Sequence, residues 1–216
     1  MEEVQKKGKF IVIEGLDGSG STTQAVLLAK YLFEKDKCHV PVLTREPTSL
    51  TSYGKEIRRR LKNELLPNEE VIDDFGYWAD LFVKDREWHL KNIVEHNTKM
   101  SLSVISDRHM LSTLAYQSSQ GGDIKKLVEM HNGFVRPDMT IFLRISVETA
   151  LQRQGKRGDS TEYFEKEHVL KKVAENYEKA ISLIGEEQNV VIVDGSLTVE
   201  EVFNLIRNEV DKLYDY

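Results

Sequence analysis

Residues Gly15 to Thr23 read Gly-Leu-Asp-Gly-Ser-Gly-Ser-Thr-Thr and follow directly on the apolar run Phe10-Ile11-Val12-Ile13. A strand that runs into a glycine-rich turn and then a helix is the setting in which such a loop holds phosphate. Gly15, Gly18 and Gly20 permit a tight turn whose successive N–H groups face one anion at a helix N-terminus. The loop Gly15, Leu16, Asp17, Gly18, Ser19, Gly20, Ser21, Thr22 and Thr23 therefore reads as a cradle for ATP, with the Thr22 hydroxyl placed to reach Mg²⁺. Position 21 departs from the pattern G-x-x-x-x-G-K-[ST], because serine stands where the lysine that meets the β- and γ-phosphates is required.

Around this loop the chain alternates short apolar runs with longer helical patterns. Strands are expected over Lys9–Glu14, His39–Thr44, Leu102–Ser106, Thr140–Ile145 and Val190–Asp194. All are rich in Val, Ile, Leu or Phe without strict alternation, as in parallel strands buried on both faces. Helices are expected over Thr22–Lys35, Gly54–Lys62, Asn68–Asn97, Leu111–Gln120, Asp123–Phe134, Val147–Gln152, Glu162–Gly185 and Val199–Tyr214. In the first of them Val26, Leu27, Ala29, Tyr31 and Leu32 form the expected buried stripe. This β-α-β alternation specifies a doubly wound α/β fold with right-handed crossovers and ligands beyond the carboxyl ends of the strands.

With 216 residues the chain fits one domain, residues 1–216, and its 40% apolar and 31% charged composition excludes a disordered or fibrous class. A net charge of −6 excludes a general nucleic-acid binder, so no nucleic-acid partner is expected. Arg58-Arg59-Arg60, flanked by Glu56 and Glu64, reads as a solvated helix face. One cysteine, Cys38, allows no disulfide framework, and the six histidines show no H-x-x-x-H ligand spacing. No run approaches the ~18 apolar residues of a membrane span, and Met1–Lys7 lacks an apolar signal segment. No membrane association and a cytoplasmic location are the expectation. The polar stretch Gly155-Lys156-Arg157-Gly158-Asp159-Ser160 between two helices reads as a small lid, about residues 153–161.

Two further strand ends carry charge. The second strand closes in Thr44-Arg45-Glu46-Pro47 and the third in Ser106-Asp107-Arg108-His109. Charged pairs at the carboxyl end of a buried strand are seldom packing choices. Asp107 reads as a member of the Mg²⁺ shell and Arg108 as a phosphate binder; the alternative is a structural ion pair between Asp107 and Arg45.

The ordered series formed by the Gly15–Thr23 loop, Thr44-Arg45-Glu46-Pro47, Leu81-Phe82-Val83-Lys84-Asp85-Arg86, Asp107-Arg108-His109 with Ser112 and Ala115-Tyr116-Gln117, Arg136-Pro137-Asp138 and a terminal Val-Asp-Gly-Ser resembles the thymidylate kinase family. The resemblance spans Phe10 to Ser196. It implies a P-loop nucleoside monophosphate kinase fold with a five-stranded parallel sheet in the order 2-3-1-4-5 and phosphoryl transfer from Mg·ATP to dTMP. It further implies that Arg45 binds the acceptor phosphate, Phe82 stacks on thymine and Arg86 donates to its O4. Ser112, Tyr116 and Gln117 complete the nucleoside pocket, and Asp17 holds the sugar 3′-hydroxyl. The competing reading of Phe82 and Arg86 is a core phenylalanine beside a surface pair with Asp85 or Asp80.

By the same resemblance Arg153 and Arg157 are lid arginines acting with Arg108 and Asp107 on the transferring phosphoryl, with Lys156 nearby; a solvated loop is their alternative. The resemblance also implies a homodimer, for which Tyr77, Trp78 and Trp88 in the Asn68–Asn97 segment are the expected surface. Arg144 stands where the family often carries Asp, and Ser21 removes the loop lysine, so Arg108, Arg153 or Arg157 is expected to supply the missing charge. Two other readings compete: a silent nucleotide-binding relative, argued by Ser21 alone, and a kinase for another acceptor such as dUMP. A GTPase is disfavoured, since no N-K-x-D guanine motif occurs.

Overall fold

A computed structural model describes residues 8–38, 40–62, 64, 74–155 and 163–214, the side chains of 163–166 excepted. Five parallel strands, β1 (Phe10–Gly15), β2 (Val42–Arg45), β3 (Val104–Asp107), β4 (Met139–Arg144) and β5 (Val190–Asp194), form one sheet in the order β2-β3-β1-β4-β5. Both the parallel sheet and its strand order are those expected. β1 is buried along its whole length between β3 and β4, which explains its unbroken apolar run. The edge strands differ: β2 alternates, and Leu43 and Ile192 face outward at 43% exposure each.

The helices are α1 (Ser21–Lys35), α2 (Ser52–Leu61), α3 (Phe75–His89), α4 (Glu95–Lys99), α5 (Met110–Ser119), α6 (Ile124–Glu129), α7 (Val147–Gly155), α8 (Tyr163–Ile184) and α9 (Val199–Tyr214). The expected Asn68–Asn97 helix is seen from Phe75, residues 68–73 lying outside the described residues, and between α3 and α4 the turn Leu90–Val94 widens to π geometry. The second half of the expected Asp123–Phe134 helix is a turn instead. α6 ends at Glu129, and Gly133 takes φ +83.

In α1 the buried face is Ser21, Gln24, Ala25, Leu28 and Leu32, whereas Val26 is 51% exposed. The buried stripe is rotated from the expected one and runs through Ala25, Leu28 and Leu32, with Gln24 held inside by its Nε2 bond to the Val199 carbonyl. Side chains of α1, α9 and the β1–β4–β5 faces make one core cluster; α5, α8 and Phe142 make another. Among the described residues no helix is long and apolar enough to cross a membrane.

Register brings the site together. Ile13 of β1 pairs with Asp107 of β3, which pairs in turn with Arg45 of β2. The ends of three strands thus meet at the N-terminus of α1.

Candidate functional site

The phosphate loop turns because two positions cannot carry a side chain. A Cβ at Gly15 would stand 2.9 Å from the Leu143 carbonyl oxygen, and one at Gly18, where φ is +91, would stand 2.8 Å from that of Ala150. Gly20, at φ +94, leads into α1, and the Ser19 N–H donates to the Leu16 carbonyl at 2.9 Å. The start of α1 therefore offers its unpaired N–H groups to the space beyond the sheet.

Asp107 is 2% exposed and receives three groups. Ser21 Oγ donates to Oδ1 at 2.8 Å, Thr22 Oγ1 donates to Oδ2 at 2.6 Å, and Arg45 Nε lies 3.5 Å from the same Oδ2. The Asp107–Arg45 ion pair weighed as an alternative is thus present, and it forms inside the crevice beside Thr22. Carboxylate and hydroxyl oxygens are the hard donors Mg²⁺ takes, and a site with one carboxylate suits an ion that draws its other oxygens from substrate phosphates and water. Thr22 and Asp107 fit that ion.

Next to Arg45, Glu46 turns inward and is buried with Arg86, His89 and His109. Arg86 Nε donates to Glu46 Oε2 at 2.7 Å, while His89 Nδ1 and His109 Nδ1 lie 2.8 and 3.1 Å from Oε1. Burial alone would raise the Glu46 pKa, yet the Arg86 charge, followed by His109 and His89, holds it well below the usual carboxylate range. Arg86 is only 1% exposed: Nη2 donates to the His109 carbonyl and Thr113 Oγ1, both at 2.9 Å, and Nη1 to His131 Nε2. Of the guanidinium's N–H groups one, on Nη1, is left for a ligand. The surface pair with Asp80 or Asp85 does not form, because Asp85 accepts from Thr48 and Thr51 and Asp80 from Lys84.

His131 Nδ1–H donates to the Leu127 carbonyl at 2.6 Å, and burial together with the Arg86 charge pushes its pKa down to about 3. The neutral ring is what can accept from Arg86. As pH falls below 6.5 the unfolded chain takes up a proton at His131 that the folded protein refuses until about 3. Stability relative to His131→Gln, which accepts a bond but does not titrate, is expected to fall by about 1.4 kcal/mol per pH unit across that interval. Above pH 6.5 the difference should be constant. Denaturant titrations of both proteins between pH 4 and 8 check it; equal slopes refute it.

Arg108 occupies the left-handed region at φ +78. Its Nη2 donates to Asp17 Oδ1 at 2.6 Å and its Nη1 to Ser112 Oγ at 3.0 Å, while its guanidinium carbon lies 5.5 Å from the Tyr116 ring centroid. Tyr116 OH donates to Asp17 Oδ2 at 3.0 Å. Behind Arg108, buried Glu14 accepts from the His109 and Ser112 N–H groups and from Ser112 Oγ and Tyr177 OH. Burial raises the Glu14 pKa, with Arg108 opposing. Ser112 is therefore bonded to Glu14 and Arg108 as well as lining the pocket.

Between β2, α3 and α5 these residues enclose a 260 Å³ cavity. Trp78, Phe82, Leu61 and Tyr116 supply its apolar wall; Arg45, Arg58 and Arg108 line it with charge, Arg86 and Gln117 with polar groups. Phe82 and Arg86 do share the cavity. Gln117 is 3% exposed, and its Oε1 has no partner among the described residues.

Arg58, expected on a solvated helix face, and Trp78, expected on a dimer surface, both line the cavity instead. Arg59 and Arg60 pair with Glu56 with side chains only 18% and 7% exposed, so the triple is not the solvated face expected, and Arg58 faces the cavity and donates to the Pro47 and Thr48 carbonyls. Trp78 precedes Phe82 by four residues, a spacing that signals a shared helix face.

Arg153 Nη1 donates to the Gly195 carbonyl at 2.9 Å and lies 3.4 Å from the Gly18 and Ser19 carbonyls, beside a second cavity lined by Thr23, Gln24, Leu197 and Val199. Arg144 forms a surface pair with Glu178. Lys156, Arg157, Glu162 and the lid beyond residue 155 lie outside the described residues.

A family model described as Thymidylate kinase matches residues 13–206. A probable thymidylate kinase of Thermococcus onnurineus is 38% identical over 199 residues, covering 90% of this chain and 93% of that protein. One of Methanococcus aeolicus is 39% identical over 208 residues, covering 94% and 97% respectively. The crystal structure of thymidylate kinase from Ehrlichia chaffeensis superposes with a TM-score of 0.70 over 96% of this chain and 99% of that one, at 24% identity, a likeness of fold.

Proposed function

Because the chain belongs to the thymidylate kinase family, we propose that it transfers the γ-phosphoryl group of Mg·ATP to dTMP, giving ADP and dTDP. The observation that carries this reading is one cavity that joins an aromatic wall to four arginines, Arg45, Arg58, Arg86 and Arg108, and opens beside the phosphate loop. An aromatic slot suits a base, and arginine forks suit a phosphate monoester. Thymine O4 accepts where Arg86 has its remaining N–H, and thymine N3–H donates where Gln117 Oε1 lacks a partner. A 4-amino pyrimidine would set donor against donor at Arg86.

An oxygen of the acceptor phosphate forms the new bond to the γ-phosphorus. The bond from that phosphorus to the β,γ-bridging oxygen breaks, and its electron pair leaves on ADP. No proton is gained or lost, so the residues position and neutralise charge rather than relay protons. Arg45 and Arg58 hold the acceptor phosphate, Asp17 the sugar hydroxyl, and the loop N–H groups the donor phosphates. Thr22 and Asp107 would hold Mg²⁺, which would supply charge neutralisation at the donor phosphates. Arg153 braces the loop carbonyls, and the lid over residues 153–161, including Arg157, closes the single domain. A phosphoryl-transfer assay with dTMP, dUMP, dCMP and dGMP tests the reading: dTDP is the expected main product, and no product above background with any acceptor refutes it.

The same reading makes the protein a cytoplasmic homodimer. Half-buried Tyr77, Trp78 and Trp88 on α3 support the dimer face in part, although Tyr77 bonds Glu56 and Trp78 faces the cavity. Sedimentation at micromolar concentration should therefore show about twice the 24.9 kDa chain mass. A monomer at that concentration refutes the assembly.

A further inference from the structure

We infer that Ser21 is a positioning residue for Asp107, and that Arg45, held by that carboxylate, is the cation standing in for the lysine this loop lacks; the inference rests on the kinase reading above. Ser21 is not an empty place in the loop. It is 7% exposed, and its hydroxyl takes Asp107 Oδ1 at 2.8 Å. The other carboxylate oxygen, Oδ2, is shared by Thr22 Oγ1 at 2.6 Å and Arg45 Nε at 3.5 Å. A hydroxyl on the donor-nucleotide side and a guanidinium on the acceptor side thus meet at one atom. That atom marks the boundary across which the phosphoryl group passes.

Among the described residues, the other arginines of the site each already donate to protein groups. Arg108 donates to Asp17 and Ser112, and Arg153 to the Gly195 carbonyl. Arg58 donates to the carbonyls of Pro47 and Thr48. Arg45 is different: its side chain is 51% exposed, it lines the cavity, and apart from Asp107 it has no polar partner among the described residues. Nε pairs with Asp107, and neither terminal nitrogen has a polar partner among the described residues. A planar fork anchored this way can meet the acceptor phosphate with one nitrogen and the transferring phosphoryl with the other.

Ser21 makes this possible because it claims Oδ1 without adding charge. A side chain at position 21 starts toward Asp107, so a lysine there would pair with that carboxylate and compete with Arg45 for it. Ser21→Lys is therefore expected not to accelerate turnover. Ser21→Ala should lower kcat about tenfold, and Ser21→Thr, which keeps the hydroxyl, should restore it. Arg45→Ala should weaken dTMP and also lower kcat at saturating dTMP by about a hundredfold, with Arg45→Lys intermediate.

Steady-state kinetics on these variants is paired with calorimetric titration of dTMP in the absence of nucleotide and Mg²⁺, which reports the acceptor site and the fold without chemistry. A rise in kcat for Ser21→Lys overturns the inference, because position 21 would then be a plain electrostatic vacancy. So does wild-type kcat for Ser21→Ala, or for Arg45→Ala at saturating dTMP. If the wild-type protein neither binds dTMP by calorimetry nor turns it over, the kinase reading fails and the inference falls with it. Wild-type turnover with unchanged variants overturns the inference alone.

Discussion

Arg86→Ala is expected to lower stability by about 3–5 kcal/mol and to remove base discrimination in the same stroke. The cost arises because Glu46, buried and ionised, loses the charge that holds its pKa down and keeps only two histidine donors. Denaturant midpoints at pH 7 measure it. Pairing Arg86→Met with Glu46→Gln removes both charges and should recover much of the stability, since an apolar replacement of an ion pair is far cheaper than an orphaned ion. Base choice should stay lost in the double variant, since no donor then faces O4. A single variant as stable as wild type would show that the ion pair contributes little, and retained preference for dTMP over dCMP would remove Arg86 from the base site.

Arg108→Ala should reduce kcat by about 10²–10³, the scale of losing one preorganised cationic donor at a transferring group. Arg108 is pinned for that role. Burial works against its charge, but Tyr177, Tyr116, Asp17 and Glu14 outweigh it and raise its pKa, and its φ of +78 aims the side chain at Asp17 across the cavity mouth. A non-glycine residue in that region costs on the order of 1–3 kcal/mol unless the surroundings impose it. Arg108→Gly should thus match the loss in kcat while being less destabilising than Arg108→Ala. Kinetics and thermal unfolding of the two variants together separate the charge from the strain; wild-type kcat in either variant excludes Arg108 from the chemistry.

Local residue order was enough for much of this molecule. The Phe10–Ile13 run, the glycines after it and the β-α-β rhythm specify a phosphate loop at the end of a buried strand, because period and turn chemistry act over a few residues. The strand order 2-3-1-4-5 came with the resemblance rather than from pattern alone. The edge strands were read as fully buried because Leu43 and Ile192 are as apolar as the residues of β1; only their position at the sheet margin exposes them. Position in the fold likewise turns the α1 stripe and sets Arg58 against the cavity while its neighbours Arg59 and Arg60 pair with Glu56.

The partners of the charged residues were decided by tertiary structure. Asp107, Arg45, Ser21 and Thr22 come from three different elements, and no spacing between them states that they share one carboxylate. Glu46 collects Arg86, His89 and His109 across 40, 43 and 63 residues of chain. Sequence by itself determined which residues could bind phosphate and base, since that follows from side-chain chemistry. Which of them stay charged, which donor remains for a ligand and what replaces a lysine depend on burial and on distances of a few ångströms, and these exist only once the sheet has brought three strand ends together.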